Sequence, residues 1–304
     1  MCEIIVVSDY KEANLITHGG RFHADDVMAT VILMKYLGVA KVYRALKLPN
    51  DVSKDVIIYD IGEGAFDHHQ IGRNGTRING VPYASAGLVW REFGYKILSD
   101  SYDKNYVWKN MDKLVIQGID AIDNNEMPRV DYPVDPLNIS KILSSFNPTW
   151  NCEESYDEAF VRAVKFAEIV FDNSLRLSKS KSAAKQPVED AIDNSKDGIM
   201  ILNPFSPWRA VLFASENPKA KDIEFVVYPS NRGGYNWMCI EEDFNSKVHR
   251  RDVPKEWWGA SEIELRRKTG IPTIRFCHVD GFIGGAETLE DTIKMVKLAQ
   301  RLTS

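Results

Sequence analysis

Histidines and aspartates that could hold metal ions are concentrated near the start of this 304-residue chain. Four of the six histidines lie within the first 70 residues, close to aspartates, and they are His18, His23, His68 and His69. Mixed imidazole and carboxylate ligands suit borderline divalent ions such as Mn²⁺, Fe²⁺, Co²⁺ and Zn²⁺, and cysteine is absent from the set. The residue types therefore predict a divalent-metal site of the kind that serves hydrolysis.

These residues occupy positions where strands are expected to end. The segment 17–26 follows a β-type run and precedes a helical pattern, and its two glycines allow a tight turn. Asp60 ends a second apolar run, and the Asp67-His68-His69 run follows soon after it. In open α/β sheets, ligands gather at the carboxyl ends of the strands. We therefore expect these three segments to meet at one edge of a sheet.

Simpler roles are open to some of the carboxylates. Asp25 and Asp26 fall in the first turn of a predicted helix, where the helix dipole alone stabilises acidic side chains. Asp60 has the alternative role of a hydrogen-bonded turn residue, although a carboxylate at a buried strand end is unfavourable unless it is paired or bound to metal. Four histidines beside these aspartates favour the metal site.

A further acidic ligand is expected at the end of a predicted helix. Asp120 and Asp123 are three residues apart and so can share one helix face. Asp123 is the preferred candidate, because Asn124 and Asn125 follow it and mark the end of the helix. Asp120 stays open as the alternative ligand, and so does a pair of solvated carboxylates without a metal.

The elements that must position these residues predict an α/β fold. Short β-type runs alternate with helical patterns in the first part of the chain, which is typical of a mainly parallel sheet flanked by helices. Periodicity fades over residues 178–196, where a helix end and a linker are expected. We predict a metal-binding catalytic domain at 1–185 and a smaller α+β substrate-binding domain at 190–304.

The composition is that of a globular protein, with 44% hydrophobic and 27% charged residues. A net charge of -5 argues against a generally basic surface for nucleic acid, so local patches and bound cations would have to attract such a ligand. No apolar run approaches the roughly 18 residues that span a bilayer. Four scattered cysteines and an N-terminus unlike a signal peptide predict a cytoplasmic protein.

Five motifs, in order, resemble those of the DHH phosphoesterase superfamily, which is named for the run found here at Asp67. Most members carry an aspartate in the first motif where this chain has His23. That variant resembles the melanocyte-proliferating-gene-1 family of metal-dependent exonucleases and their bacterial relatives. The similarity continues at residues 120–124 and 276–285 and so covers nearly the whole chain.

The resemblance implies two metal ions, with Mn²⁺ expected and Zn²⁺, Co²⁺, Fe²⁺ or Mg²⁺ as alternatives. One ion would be held by His18, His23 and Asp60. The other would be held by Asp25, Asp60, His68 and Asp123. His69 would face the scissile phosphate, with Asp67 as its catalytic neighbour. Candidate substrate contacts in the second domain are Arg232, Gly233, Gly234, His278, Gly284 and Gly285, although paired glycines are also common structural devices.

The function implied by the resemblance is 3′–5′ removal of nucleotides from RNA or short oligonucleotides. Within the same class, a small-nucleotide phosphatase or a cyclic-dinucleotide phosphodiesterase is the alternative. A regulatory protein that binds metal or nucleotide without turnover is an alternative from another class. The oligomeric state stays open, with a homodimer as one option, and no membrane partner is expected.

Overall fold

The computed structural model describes residues 2–72, 74–99, 103–126 and 136–303. The chain divides into two units, Met1–Lys179 and Ser180–Ser304. The first contains β1 (Glu3–Val6), β2 (Leu15–His18), α1 (Ala24–Leu37), β3 (Val39–Ala45), β4 (Ile57–Ile58), α2 (Ser85–Phe93), α3 (Lys104–Met111), α4 (Gln117–Asp123), α5 (Ile139–Ser144) and most of α6 (Tyr156–Ala183). The second contains α7 (Lys185–Asp193), β5 (Ile199–Ile201), α8 (Arg209–Ala214), β6 (Phe225–Pro229), β7 (Tyr235–Cys239), α9 (Glu262–Thr269), β8 (Ile274–Cys277), β9 (Ile283–Ala286) and α10 (Leu289–Leu302).

The strands of the first unit form one parallel sheet in the order β1-β3-β2-β4. β2 is its buried centre, since Leu15, Ile16 and Thr17 are fully buried. β2 and β4 lie side by side and run in the same direction, so their carboxyl ends open at the same edge. This sheet with its helices confirms the predicted α/β fold.

Helix α1 is buried along most of its length. All residues from Ala24 to Met34 are buried, because α1 packs against α2, α5 and β3 and so has no solvated face there. It ends at Gly38, whose φ of 82° lies in the region that favours glycine. The burial of its first turn carries Asp25 and Asp26 into the interior.

The predicted helix that ends near Asp123 changes its winding part-way along. A π-helical turn at Asp112–Ile116 joins α3 to α4, which continues to Asp123. Such turns are rare and are frequent at functional sites. The π turn rotates all later residues about the helix axis, so it determines which side chains α4 turns toward α1 and α2.

The second unit has a mixed five-stranded sheet in the order β5-β6-β7-β9-β8. β5 and β6 are parallel and the other neighbours are antiparallel, so β6 and β7 form a hairpin. The C-terminal helix is α10, and the hydroxyl of Thr288 caps it by accepting the N–H of Asp291 at 3.1 Å. No helix among the described residues is both long and apolar enough to cross a membrane.

Several elements of the second unit are absent from the prediction. The helix end expected within residues 178–196 is the end of α6, and the linker expected there is instead helix α7, which buries Val188 and Ile192. β9 has the sequence Ile-Gly-Gly-Ala, and glycine disfavours strands. Neighbouring strands stabilise β9 despite its composition.

Candidate metal centre

Two strand ends and a helix start bring the predicted ligands together. His18 ends β2, and Asp60 follows β4, the strand beside it. The turn from β2 to α1 is tight, because a Cβ atom at Gly19 would meet the carbonyl oxygen of Arg44 at 3.0 Å. Asn147 holds the same turn by exchanging hydrogen bonds of 3.1 and 3.0 Å with the backbone of Phe22.

Asp26 lies in the cluster although it was not among the predicted ligands. Its Oδ1 accepts hydrogen bonds from the backbone N–H groups of His23 (2.9 Å) and Val27 (2.8 Å), which secures the start of α1. Its Oδ2 lies 3.3 Å from Nε2 of His18. The carboxylate therefore stabilises the helix with one oxygen and offers the other to the site. In the sequence, the position of Asp26 directly after the predicted ligand Asp25 indicated that it could belong to the site.

Asp60 lies between histidines from two different motifs. Its Oδ2 is 3.2 Å from Nε2 of His18, and its Oδ1 is 3.4 Å from Nδ1 of His68. Ser85, at the start of α2, donates its hydroxyl to Oδ1 at 2.8 Å. The backbone of Asp60 has a φ of 56°, in the left-handed region. Residues other than glycine adopt this strained conformation rarely, and they do so most often at functional sites. The sequence pattern did not reveal Ser85, which comes from a helix far along the chain.

His68 and His23 connect the strand ends to the end of α4. Nε2 of His68 is 2.8 Å from Oδ2 of Asp123. His23, Asp25 and Asp123 offer ligand atoms within 4.8 Å of one another. The rings of His23 and His18 have centroids 5.7 Å apart, so His23 lies near His18 as well as near Asp25 and Asp123.

The structure separates the two aspartates of α4. Asp123 faces His68, whereas Asp120 is fully buried and pairs with Arg77, whose Nη2 is 2.7 Å from its Oδ2. Asp120 also accepts the backbone N–H of Gly87 at 3.0 Å. Arg77 is shared, because it also donates to Asp112 at 3.0 and 2.7 Å. Asp120 therefore joins α4 to α2 instead of lying in the metal cluster.

The Asp120 carboxyl holds its proton to an unusually high pH. Burial raises its pKa to about 7, although Arg77 and the N–H of Gly87 oppose the rise. The neighbouring charge of Asp112, which shares the same guanidinium, adds a smaller rise in the same direction. In the unfolded chain the same carboxyl would ionise near pH 4.

We expect this carboxyl to make metal-free protein less stable as the pH rises. The proton on Asp120 stabilises the folded state fully below about pH 4, and that contribution is lost as the pH passes through 7. Asp120→Asn cannot ionise, so between pH 5 and 8 it should gain about 1–3 kcal/mol relative to the unsubstituted protein. Urea unfolding with a chelator measures the difference. A constant difference across this range would contradict the raised pKa.

Asp67 holds His69 in a defined orientation. Nδ1 of His69 lies 2.7 Å from Oδ1 of Asp67, which also accepts the backbone N–H of His69 at 3.1 Å. The other oxygen accepts the N–H of Glu63 at 2.8 Å. Burial opposes ionisation of Asp67, but these hydrogen bonds outweigh it and lower the pKa of the carboxyl. Asp67 is thus an ionised partner that orients the His69 ring.

Burial and crowding change the proton affinity of the cluster. Burial raises the pKa of Asp25 well above its usual value, and that of Asp26 to about 7. Burial alone would lower the pKa of His18, but its contacts with Asp60 and Asp26 raise it to about 9. Without a metal ion the cluster therefore retains protons. A divalent cation would compete with those protons for the same oxygens.

The donor set fits divalent ions. Within this cluster, three buried carboxylate oxygens have no aligned hydrogen-bond donor among the described residues, and they are Oδ1 of Asp25, Oδ2 of Asp26 and Oδ2 of Asp60. Buried polar atoms without a partner are unfavourable, and a cation supplies one. Three groups of residues could each hold an ion, because the ligand atoms within each group lie within 4.8 Å of one another. The groups are His18, Asp26 and Asp60; His23, Asp25 and Asp123; and Asp60, Asp67, His68 and His69.

Comparisons with known proteins identify the family of this chain. A model of the MYG1 exonuclease family, described as uncharacterised protein family UPF0160, matches residues 14–300. The chain belongs to the MYG1 family. The MYG1 protein of Saccharomyces cerevisiae is 30% identical and aligns over 94% of this chain and 95% of its own length. The MYG1 exonuclease of Homo sapiens is 28% identical over 94% of this chain and 85% of its own length. No solved structure matches.

Membership of the MYG1 family confirms the family predicted from the first motif. The names of the human and rat relatives support an enzyme of the hydrolase class, as the sequence predicted. The MYG1 protein of Dictyostelium discoideum, at 27% identity, also aligns over 93% of this chain. The match therefore spans both units of the chain.

The substrate residues predicted from the MYG1 resemblance all lie in the second unit. Arg232 and Gly233 form the turn between β6 and β7, where their carbonyl oxygens accept hydrogen bonds from Arg275. Gly234 ends this turn with a φ of 68°, and a Cβ atom there would lie 2.5 Å from the carbonyl oxygen of Ala286. His278 follows β8, half exposed, and its Nδ1 accepts the N–H of Asp280 at 3.2 Å.

Gly284 and Gly285 have a clear structural requirement. Both lie within β9, which pairs with β7 on one side and β8 on the other. A Cβ atom at Gly284 would lie 2.5 Å from the ring of Trp237, and one at Gly285 would lie 2.4 Å from the carbonyl oxygen of Tyr235. The close packing of the sheet therefore explains this glycine pair, and its contact with substrate stays a prediction.

Proposed function

We propose that this MYG1-family protein is a phosphodiesterase of the DHH type that uses two divalent ions, Mn²⁺ foremost, to remove nucleotides from the 3′ end of RNA or short oligonucleotides. The observation that carries the proposal is the buried group of unpaired carboxylate oxygens surrounded by His18, His23 and His68. The names of the mammalian relatives support a nucleic acid as the substrate.

The ligands divide between two metal positions that share Asp60. His18, Asp26 and Asp60 would hold one ion. Asp25, Asp60, His68 and Asp123 would hold the other. His23 is close enough to contribute to either position. When bound, such ions lower the pKa of a water molecule and stabilise the charge on phosphoryl oxygens.

His69 is the residue placed to transfer a proton. Its side chain is 58% exposed, whereas Asp67, which holds its Nδ1, is buried. With the Nδ1 proton donated to Asp67, Nε2 points away from that carboxylate and is available to the substrate. A protonated His69 would donate from Nε2 to the oxygen that leaves phosphorus. Asp67 stabilises that charged imidazole and fixes its direction.

The proposal predicts directional degradation of RNA. With Mn²⁺, a 5′-labelled single-stranded RNA should yield a ladder of progressively shorter labelled products, and a 3′-labelled copy should release labelled mononucleotide at once. His69→Gln should slow both by about 10²- to 10⁴-fold, because a general acid contributes that much. Time courses on denaturing gels measure both effects.

The same assay separates the competing functions. RNA that stays intact with every divalent ion would contradict the proposal, and early release of the 5′ label would overturn the polarity. A cyclic dinucleotide and a nucleoside bisphosphate, tested in parallel, report the phosphatase and cyclic-dinucleotide alternatives. Tight binding of RNA without cleavage would support the regulatory alternative.

A further inference from the structure

A cavity of about 640 Å³ lies beside the metal centre in the first unit. His68, His69 and Asp123 line the side nearest the metal ligands. Its other walls come from the end of α4, the start of α1 and helix α5. Small-molecule sites typically have volumes of about 300–1,000 Å³, so this cavity can hold one small organic group.

The rest of the lining combines residues with amide and apolar side chains. Gln70, Asn124, Asn125 and Asn138 carry primary amides, and Ile119 and Ile122 are apolar. Three of these amides also form one hydrogen bond within the chain and keep further donors or acceptors: Gln70 donates to Gly64, Asn124 donates to Asp120, and Asn138 accepts the N–H of Lys141. A primary amide both donates and accepts hydrogen bonds. The edge of a nucleobase presents donors and acceptors side by side, and its faces are apolar. We call this region the amide pocket.

Two buried atoms beside the amide pocket lack partners. Oε1 of Gln70 and Oγ of Ser140 belong to residues that line the cavity, are themselves shielded from solvent and have no hydrogen-bond partner in the described residues, so a ligand reaches them only when these side chains turn toward the cavity. Buried polar atoms of this kind are rare without a partner. Asp123 is the single carboxylate among the described residues that line the cavity, and it faces His68. Lys141 also lines the cavity, and its ammonium donates to the carbonyl oxygen of Pro136 at 3.4 Å. Apart from these two charged residues and the histidines, the lining suits an uncharged group that forms hydrogen bonds.

We infer that the amide pocket receives the nucleoside at the 3′ terminus of the substrate. The inference rests on the proposed function, because the phosphate of that nucleotide would then lie at the metal centre. In hydrolysis, the oxygen of water bonds to phosphorus, the bond from phosphorus to the 3′ oxygen of the preceding nucleotide breaks, and that oxygen takes a proton. The product is a nucleoside 5′-monophosphate whose base occupies the amide pocket.

Product binding tests the inference without requiring turnover. We expect Mn²⁺-loaded protein to bind 5′-AMP at least about 10-fold more tightly than ribose 5-phosphate, because only the former has a base for the amides to recognise. Ser140→Trp should remove that difference, since the indole would fill the amide pocket, while the affinity for ribose 5-phosphate changes by less than about 2-fold. Isothermal titration calorimetry measures both ligands.

Matched variants separate filling of the pocket from a general disturbance. Ser145→Trp places the same bulk at an exposed position just after α5 and should leave both affinities unchanged. Gln70→Met keeps the length of the side chain but removes its amide group with Oε1. This variant should weaken the binding of 5′-AMP by about 3- to 10-fold. Mn²⁺ binding by each variant shows that the metal ligands are intact.

The outcomes are distinct. Equal affinity of the unsubstituted protein for 5′-AMP and ribose 5-phosphate would overturn the inference, as would a Ser140→Trp protein that still prefers 5′-AMP. If 5′-AMP binds as expected while RNA stays intact with every metal, the pocket assignment stands and the proposed exonuclease function fails.

Discussion

Replacing Asp60 by asparagine should abolish hydrolysis and remove bound metal. Asp60 contacts His18 and His68 at once, so losing its charge weakens both metal positions. We expect activity to fall by about 10³-fold or more, equivalent to roughly 4 kcal/mol of transition-state stabilisation. Asparagine tolerates the left-handed backbone at this residue and can still accept a hydrogen bond from the hydroxyl of Ser85.

The loss of the Asp60 charge has two opposing effects on the stability of metal-free protein. Asp25 and Asp26 are fully buried beside Asp60, and its charge contributes to the raised pKa of each, so its removal relieves repulsion. The same charge raises the pKa of His18, so its removal also weakens a stabilising contact. Metal analysis of chelator-free protein and the RNA assay measure the loss of metal and of activity.

The control for Asp60→Asn is a carboxylate outside the cluster. Asp172 forms an ion pair with Lys35 and is half exposed, so Asp172→Asn should keep its bound metal and its activity. An Asp60→Asn protein with full metal content and activity would show that Asp60 is not a ligand. Unchanged activity in both variants would remove the cluster from the mechanism.

Replacing Arg77 by methionine should give the largest loss of stability. Its guanidinium lies 2.7 Å from both Asp112 and Asp120 and is buried. Removing it leaves two carboxylates without a cation, and breaking a buried ion pair in this way typically costs about 3–5 kcal/mol. Urea unfolding at pH 8, where the Asp120 carboxyl is ionised in the native protein, measures the loss.

Arg91 provides a matched comparison for Arg77. Both guanidinium groups stack on the ring of Tyr83, at 4.2 Å for Arg77 and 4.8 Å for Arg91, but Arg91 is exposed. Arg91→Met should therefore lower the free energy of unfolding by less than about 1 kcal/mol. Equal losses in the two variants would mean that the stacking, and not the buried carboxylates, accounts for the effect of Arg77.

The residues that are positioned by the ends of strands were predictable from the sequence. His18 and Asp60 end or follow neighbouring parallel strands, and parallel strands present their carboxyl ends at one edge. Asp26 was harder to assign, because the same carboxylate also stabilises the start of α1. Ser85 and Asn147 could not be predicted, since their contacts depend on tertiary packing between distant segments.

The choice between Asp120 and Asp123 shows a second limit of pattern analysis. Both residues fit one helix face by their spacing, and the sequence favoured Asp123 only through the asparagines after it. The structure brings Asp123 to His68 and Asp120 to Arg77, and this division depends on a π turn that hydrophobic periodicity does not reveal. β9 was missed for a related reason, because its neighbours and not its own residues favour a strand.

The π turn at Asp112–Ile116 also constrains how this family can vary. Each residue advances a helix by about 100°, since 3.6 residues make one turn. A chain that lost one residue within the turn would swing Asp123 away from His68 and Asp120 away from Arg77 in a single step. Substitutions on the exposed face of this segment disturb neither contact. Over evolution, the stretch from α3 to the end of α4 should therefore tolerate changes of residue type far better than changes of length.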